Sequence, residues 1–168
     1  MKNYITLLFV AALASCSSFN IKSDYDRDIT FSKYQTYEVR PEVSGLNDLD
    51  KNRIVSAIKE QLSAKGMRES TSPDLVISLK ETTQKISNVE TISQGGWGWR
   101  SGGFGSATVT SYDQGTLVLN FIDTQTKQLV WQGTGTGINM DNSTSKVKQI
   151  PVMVGKMLDK YPPGQGNK

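Results

Sequence analysis

Alternation of apolar and polar residues at a period of two runs through most of this 168-residue chain and yields to three-four spacing in two places, so strands and two helices are predicted. Phe19 to Tyr25 sets Phe19, Ile21 and Ser23 against Asn20, Lys22 and Asp24, a strand pattern. Phe31 to Val39 is rich in aromatic and β-branched residues, with Tyr37 and Val39 on one face, until Pro41, Ser44 and Gly45 break it. From Asn47 to Lys65 the spacing predicts a helix. Asn47 or Asp48 caps it, Asp48 and Asp50 suit the positive end of its dipole, and Gly66 stops it. Ile54, Ala57, Ile58 and Leu62 form one apolar stripe that leaves Lys51, Arg53, Lys59 and Glu60 for water. A helix of this length is marginal alone and needs a sheet to lie on.

Pro73 and Asp74 open a strand in which Leu75, Ile77 and Leu79 alternate with Val76, Ser78 and Lys80. It turns polar from Lys85 to Glu90, which predicts a strand leaving the core for solvent. Residues 94–105 hold six glycines among Trp97, Trp99, Arg100 and Phe104, a composition that predicts a mobile or looped-out hairpin tip. Strand signals resume over Ala107 to Tyr112 and Thr116 to Ile122, and Asp123 to Lys127 reads as a turn. Leu129 to Gly137 then places Leu129 and Trp131 on one face with Gly133, Gly135 and Gly137, a smooth track that a helix can approach closely. Val147, Ile150, Val154, Met157, Leu158 and Tyr161 mark the last helix, ended by Pro162 and Pro163. An interior proline costs about 3 kcal/mol, so Pro151 sets the helix start near Ile150, with the proline in its first turn. The fold class expected is α+β: a mostly antiparallel sheet of about 4–6 strands with two helices packed on one face.

Lys2, an apolar block from Tyr4 to Leu13 and the small residues Ala14 and Ser15 precede Cys16, the order of a secretory signal and its cleavage site. An ordinary cleaved signal with an incidental cysteine is the plainer alternative. Leu13-Ala14-Ser15-Cys16, however, resembles the lipobox of bacterial lipoproteins, in which the thiol receives a diacylglycerol, the chain is cut before the cysteine and the new amine is acylated. That resemblance implies lipidation at Cys16 and stable anchoring, at about 0.8 kcal/mol per buried methylene. Ser17 in place of Asp after the cysteine favours the outer membrane, facing the periplasm. The organisation expected is a signal peptide over 1–15, a lipidated tether over 16–22, one α+β domain over 23–163 containing the loop 94–105, and a disordered tail over 164–168.

Composition narrows the chemistry. The chain has no histidine and one cysteine, which removes imidazole acid–base catalysis, disulfides within the chain and a CxxC metal knuckle. A formal charge of +3 does not point to nucleic acid, and no run of 18 apolar residues is present. Asp24, Asp26 and Asp28 alternate, but a calcium loop would need Gly at the position of Ile29 and Glu at that of Gln35, so no metal is assigned. Gly95, Gly96 and Gly98 are followed by neither a helix signal nor Gly-Lys-Ser/Thr, so no nucleotide is assigned. No G-x-S-x-G elbow occurs and nothing singles out two acids among the sixteen as a glycosidase pair. Catalytic residues and cofactors are therefore expected to be none. Trp97, Trp99 and Phe104 are the candidate contacts, stacking on a sugar, a lipid headgroup or a partner protein, or else folding back over the sheet edge. Trp131 reads as core.

Asp24-Tyr25-Asp26, Phe31-Ser32-Lys33-Tyr34-Gln35-Thr36-Tyr37, Arg53-Ile54, Ala57-Ile58, Lys65-Gly66 and Pro73-Asp74-Leu75-Val76 stand in this order along the chain. The Gly/Trp loop, Tyr112, Gly115-Thr116-Leu117-Val118, Asp123, Leu129-Val130-Trp131-Gln132-Gly133 and Tyr161-Pro162-Pro163 follow. Together they resemble the bacterial lipoprotein family known as domain of unknown function 4136, from about Phe19 to Pro163. The resemblance implies an envelope lipoprotein with an α+β domain and no assigned catalytic residues. Asn120 replaces a frequent acid of the family, and Pro151 interrupts a terminal helix that usually continues without it. The expected function is a non-enzymatic, membrane-anchored module that binds an envelope partner or stabilises an assembly. The alternative is a glycan-binding module or a histidine-free hydrolase of envelope polymers.

Overall fold

The computed structural model describes residues 19–41, 46–91 and 107–164. Strand β1 (Asn20–Tyr25) leads through a single 3-10 turn at Phe31–Lys33 to β2 (Thr36–Arg40). Helix α1 (Asp48–Ala64) and the short β3 (Arg68–Glu69) follow, then the long pair β4 (Leu75–Thr91) and β5 (Ala107–Asp123), β6 (Leu129–Asn139) and helix α2 (Ser143–Leu158). The six strands form one sheet in the order β1-β6-β5-β4-β2-β3. Pairing is antiparallel from β1 through β4 and parallel where β2 meets β4 and β3. The α1 crossover makes the parallel part, since a hairpin cannot return a strand in the same direction. The fold is α+β, as expected from the patterning.

Alternation along the strands sends Leu75, Ile77, Leu79, Leu117, Leu119, Phe121 and Trp131 to the face covered by both helices, where all are buried. Ile54, Ile58 and Leu62 of α1, with Ile150, Met153, Val154 and Met157 of α2, close the core from above. Complete burial of each such side chain contributes about 1.5–3 kcal/mol. The Asn47 side chain accepts a hydrogen bond from the Asp50 amide and caps α1, and Gly66 at φ +82 ends it in a conformation that favours glycine. Phe121, Trp131 and Tyr161 form a ring cluster with centroids 4.5–5.4 Å apart, and Phe31 packs edge-on against Tyr34 and Tyr161.

Several expectations are corrected. Helix α2 begins at Ser143, not near Ile150, because the Asn142 side chain caps it by accepting from the Ser145 amide, and Pro151 sits inside it on the exposed side. Residues 20–22 belong to β1 rather than to a tether, paired with Thr136, Gly135 and Thr134. Phe31 to Lys33 turns as a 3-10 helix, and the strand starts only at Thr36, where Asp74 binds the Gln35 and Thr36 amides. The two segments 107–112 and 116–122 are one strand, whose register with β6 shifts at Gly115/Thr116. A second shift at Phe121/Ile122 leaves Leu129 exposed and Val130 buried, and Ile138 is buried just past Gly137 at φ +125. Gly133 and Gly135 do form the expected track: the Trp131 ring lies over the first, and Met153 and Met157 of α2 lie over the second.

Candidate functional site

Two acids are drawn into the core from opposite ends of the helical layer. Asp123 closes the β5–β6 turn: its Oδ1 accepts from the amides of Gln125 (2.8 Å) and Thr126 (3.0 Å), and its Oδ2 from the Tyr34 hydroxyl (2.8 Å) and the Lys33 ammonium (3.2 Å). Burial alone would raise this carboxyl. The amide of Thr126, the Tyr34 hydroxyl, the amide of Gln125 and Lys33 outweigh it and hold the group far below the usual carboxylate range. Asp74, at the start of β4, binds the amides of Gln35 and Thr36 and the Thr36 hydroxyl, and so fixes the entry of β2.

Asp50 is the second centre, fully buried on α1. It takes Arg53 on one oxygen and, on the other, Lys146 of α2 at 2.6 Å and the Asn47 amide group at 2.7 Å. Burial pushes its carboxyl up, but Lys146, Asn47 and Arg53 more than reverse that and lower it. Arg53 is thus not left to water, and Asp50 joins the two helices rather than merely decorating a helix end. Glu81 of β4 borders this cluster, with Met140 and Gly115 beside it, and its carboxyl is pushed up by burial and by the charge of Asp50. A carboxyl raised in the folded state stabilises below its unfolded value and loses that contribution as pH rises. Glu81→Gln is therefore expected to raise the thermal midpoint at pH 7, with the gain fading toward pH 4; a lower midpoint at pH 7 would contradict the sign.

A cavity of about 620 Å³ runs between the inner row of β1 and the end of α2, lined by Phe19, Ile21, Tyr25, Lys156 and Pro162 among others. Asp159 is its single carboxylate. On the open face of the sheet, Gln132 donates to Asn120 at 2.7 Å, directly across the register, and Thr116 and Thr136 are 3.0 Å apart. The helices also carry Ser-x-x-Lys spacings, the spacing of a Ser-Lys nucleophile pair. Lys59, three residues after Ser56, pairs with Glu69, and Lys146, three after Ser143, is bound to Asp50, while Lys148, three after Ser145, is solvent-exposed. No group of three His, Cys, Asp or Glu side chains suited to a metal occurs among the described residues.

The sequence-predicted sites Cys16, Trp97, Trp99 and Phe104 lie outside the described residues. Asp24 and Asp26 flank a small cavity at the end of β1, and their carboxylates accept from nearby backbone amides. Trp131 is core, as expected, and its Nε1–H has no hydrogen-bond partner. Asp50 and Asp123 were not singled out, because their partners stand 96 and 89 residues away in sequence.

Residues 21–163 match the family described as Domain of unknown function (DUF4136). The chain belongs to that family. No curated protein matches the sequence. A PDZ domain protein from Parabacteroides distasonis ATCC 8503 shares 15% identity at a TM-score of 0.58, over 85% of this chain and 35% of that one. This chain thus spans about a third of that protein's length. A PelC dodecamer from Paraburkholderia phytofirmans shares 16% identity at a TM-score of 0.52, over 84% of this chain and 95% of that one. At these identities the likeness is one of fold.

Proposed function

We propose that this DUF4136 protein is a non-enzymatic, lipid-anchored protein of the bacterial envelope, whose α+β domain holds an assembly together at the periplasmic face of the outer membrane. The observation that carries the reading is how the acids are used. Asp50 and Asp123, the buried carboxylates among the described residues, are saturated by structural partners and held ionised; Glu81, raised beside Asp50, borders only a crevice of about 10 Å³, too small for a sugar, and the 620 Å³ cavity carries Asp159 alone. General acid–base work on a glycan needs two carboxyls flanking one bond, one of them raised. The arrangement therefore favours binding over hydrolysis. The dodecameric state of the PelC neighbour supports an assembling module, and the lipobox-like Leu13-Ala14-Ser15-Cys16 supports the anchor.

The test is growth with labelled palmitate. The wild-type chain is expected to take up label and sediment with membranes, and Cys16→Ala to do neither. Label retained by Cys16→Ala would overturn the anchor.

A further inference from the structure

A cavity of about 290 Å³ lies where three distant parts of the chain meet: the 3-10 turn before β2, the end of α1 and the residues that follow α2. Its walls are Phe31, Tyr34, Met67, Tyr161 and Pro162. Backbone hydrogen bonds fix them. The Tyr34 amide donates to the Phe31 carbonyl (3.1 Å), the Met67 amide to the Leu62 carbonyl (3.0 Å) and the Tyr161 amide to the Leu158 carbonyl (3.0 Å). The Arg68 amide, donating to the Gln35 carbonyl at 3.0 Å, ties the end of α1 to the segment that leads into β2. The space is therefore preformed, and a ligand entering it need not order its walls first.

Its floor holds an unmet donor. Tyr161 is 3% exposed, and its hydroxyl makes no hydrogen bond among the described residues. Among those residues the unpartnered polar side-chain atom closed to solvent is the Trp131 Nε1–H, so the Tyr161 hydroxyl opens into the cavity that its ring lines. Burial pushes this hydroxyl up, and the neighbouring Tyr34 hydroxyl adds to the effect, so it stays a protonated donor. The other polar groups nearby are committed: the Tyr34 hydroxyl to Asp123, and the Gln35 amide group to the Ser32 carbonyl. At the mouth stands Lys65, the charged residue of the lining, exposed and without an ion pair among the described residues.

We propose that this cavity binds a small aromatic carboxylate, whose ring lies among Phe31, Tyr34 and Met67, whose carboxylate faces Lys65 and whose far end accepts from the Tyr161 hydroxyl. The site goes beyond the reading above and depends on neither the anchor nor the assembly. Its size suits a molecule of roughly ten non-hydrogen atoms. Aromatic rings favour edge-to-face neighbours, the arrangement Phe31 already has with Tyr34 and Tyr161 at centroid distances of 6.1 and 5.9 Å. A sugar of the same size fits less well. It carries hydroxyls around its whole ring, and walls of Phe31, Met67 and Pro162 would leave most of them dry and unpaired.

The test titrates the full-length protein, extracted in detergent, with 4-hydroxybenzoate, benzoate, 4-hydroxybenzamide and N-acetylglucosamine, followed by ligand-observed NMR. 4-Hydroxybenzoate is expected to bind with a Kd of about 0.1–1 mM, the range open to so small a ligand. Benzoate lacks the acceptor and 4-hydroxybenzamide lacks the charge, and each is expected to bind about tenfold more weakly. Tyr161→Phe keeps the ring and its packing, and should bind 4-hydroxybenzoate no better than benzoate. Lys65→Gln should bind the acid no better than the amide. Were Tyr161→Phe to misfold, the comparison of 4-hydroxybenzoate with benzoate on the wild-type chain reads the same contact. An absence of binding by 4-hydroxybenzoate, an undiminished affinity in Tyr161→Phe, or a preference for the sugar would each overturn the site.

Discussion

Asp123→Ala is expected to destabilise the fold by about 3 kcal/mol, a fall of roughly 10 °C in the thermal midpoint. The loss has a defined origin. The Tyr34 hydroxyl is buried and donates to Asp123 at 2.8 Å, so truncation leaves that donor without its acceptor inside the core. The amides of Gln125 and Thr126 lose the same partner but lie in an exposed turn and recover water, so they add less. Asp123→Asn keeps one acceptor oxygen and is expected to cost about half as much. The charge sets the pH dependence. A carboxyl lowered in the folded state stabilises above its unfolded value, near 4, and that contribution is lost as pH falls toward the folded value. The wild-type midpoint should therefore drop on acidification below about pH 4, and Asp123→Asn should drop less steeply. Chemical denaturation at pH 7 and pH 3 measures both; an unchanged pH 7 midpoint for Asp123→Ala would refute the assignment.

Gly133→Ala is expected to be nearly as damaging, at about 3 kcal/mol, although it adds a single methyl group. A Cβ at Gly133 would run into Cη2 of Trp131 and stand 3.0 Å from its Cζ3. That ring is fully buried and wedged against Phe121 and Tyr161, at centroid distances of 4.8 and 5.4 Å, so it has nowhere to retreat. Gly135 is the internal comparison. There the added carbon meets the thioethers of Met153 at 2.7 Å and Met157 at 2.8 Å, unbranched side chains that can repack. Gly135→Ala is expected to cost about 1 kcal/mol. Equal thermal midpoints for the two variants would show that ring rigidity is not what makes the glycine necessary.

Much of this architecture is legible in the sequence. The 54, 57, 58, 62 stripe of α1 and the alternation of Leu75, Ile77 and Leu79 are periodic and local, and both elements stand where the pattern places them. The glycine track of β6 was visible for the same reason, while its occupants, the Trp131 ring and two methionines of α2, were not. The cost of an interior proline, about 3 kcal/mol, points to a start near Ile150, whereas Pro151 lies inside α2. The Asn142 cap and the Lys146–Asp50 contact, which spans 96 residues, hold the turns before the proline, and the buried Met153, Val154, Met157 and Leu158 hold those after it. Asp50 is likewise opaque to a local reading: its position in the first turn satisfies the dipole rule, so nothing local marks it as the link between the helices. The polar centres depend on residues distant in sequence, which neither composition nor spacing reveals. The outer part of the β4–β5 hairpin, which no third strand accompanies among the described residues, is likewise a product of topology, since it depends on where β2 and β6 stop.

Asp50 and Asp123 are structural, and the function proposed for the chain rests on its surfaces and on the anchor proposed at Cys16. One measurement addresses that claim most directly: a native mass spectrum of the protein gently extracted from membranes. The expected spectrum shows subunits that begin at Cys16, carry fatty-acyl mass on that residue and travel together as several copies. An unacylated chain retaining residues 1–15, or a solitary subunit, would contradict it.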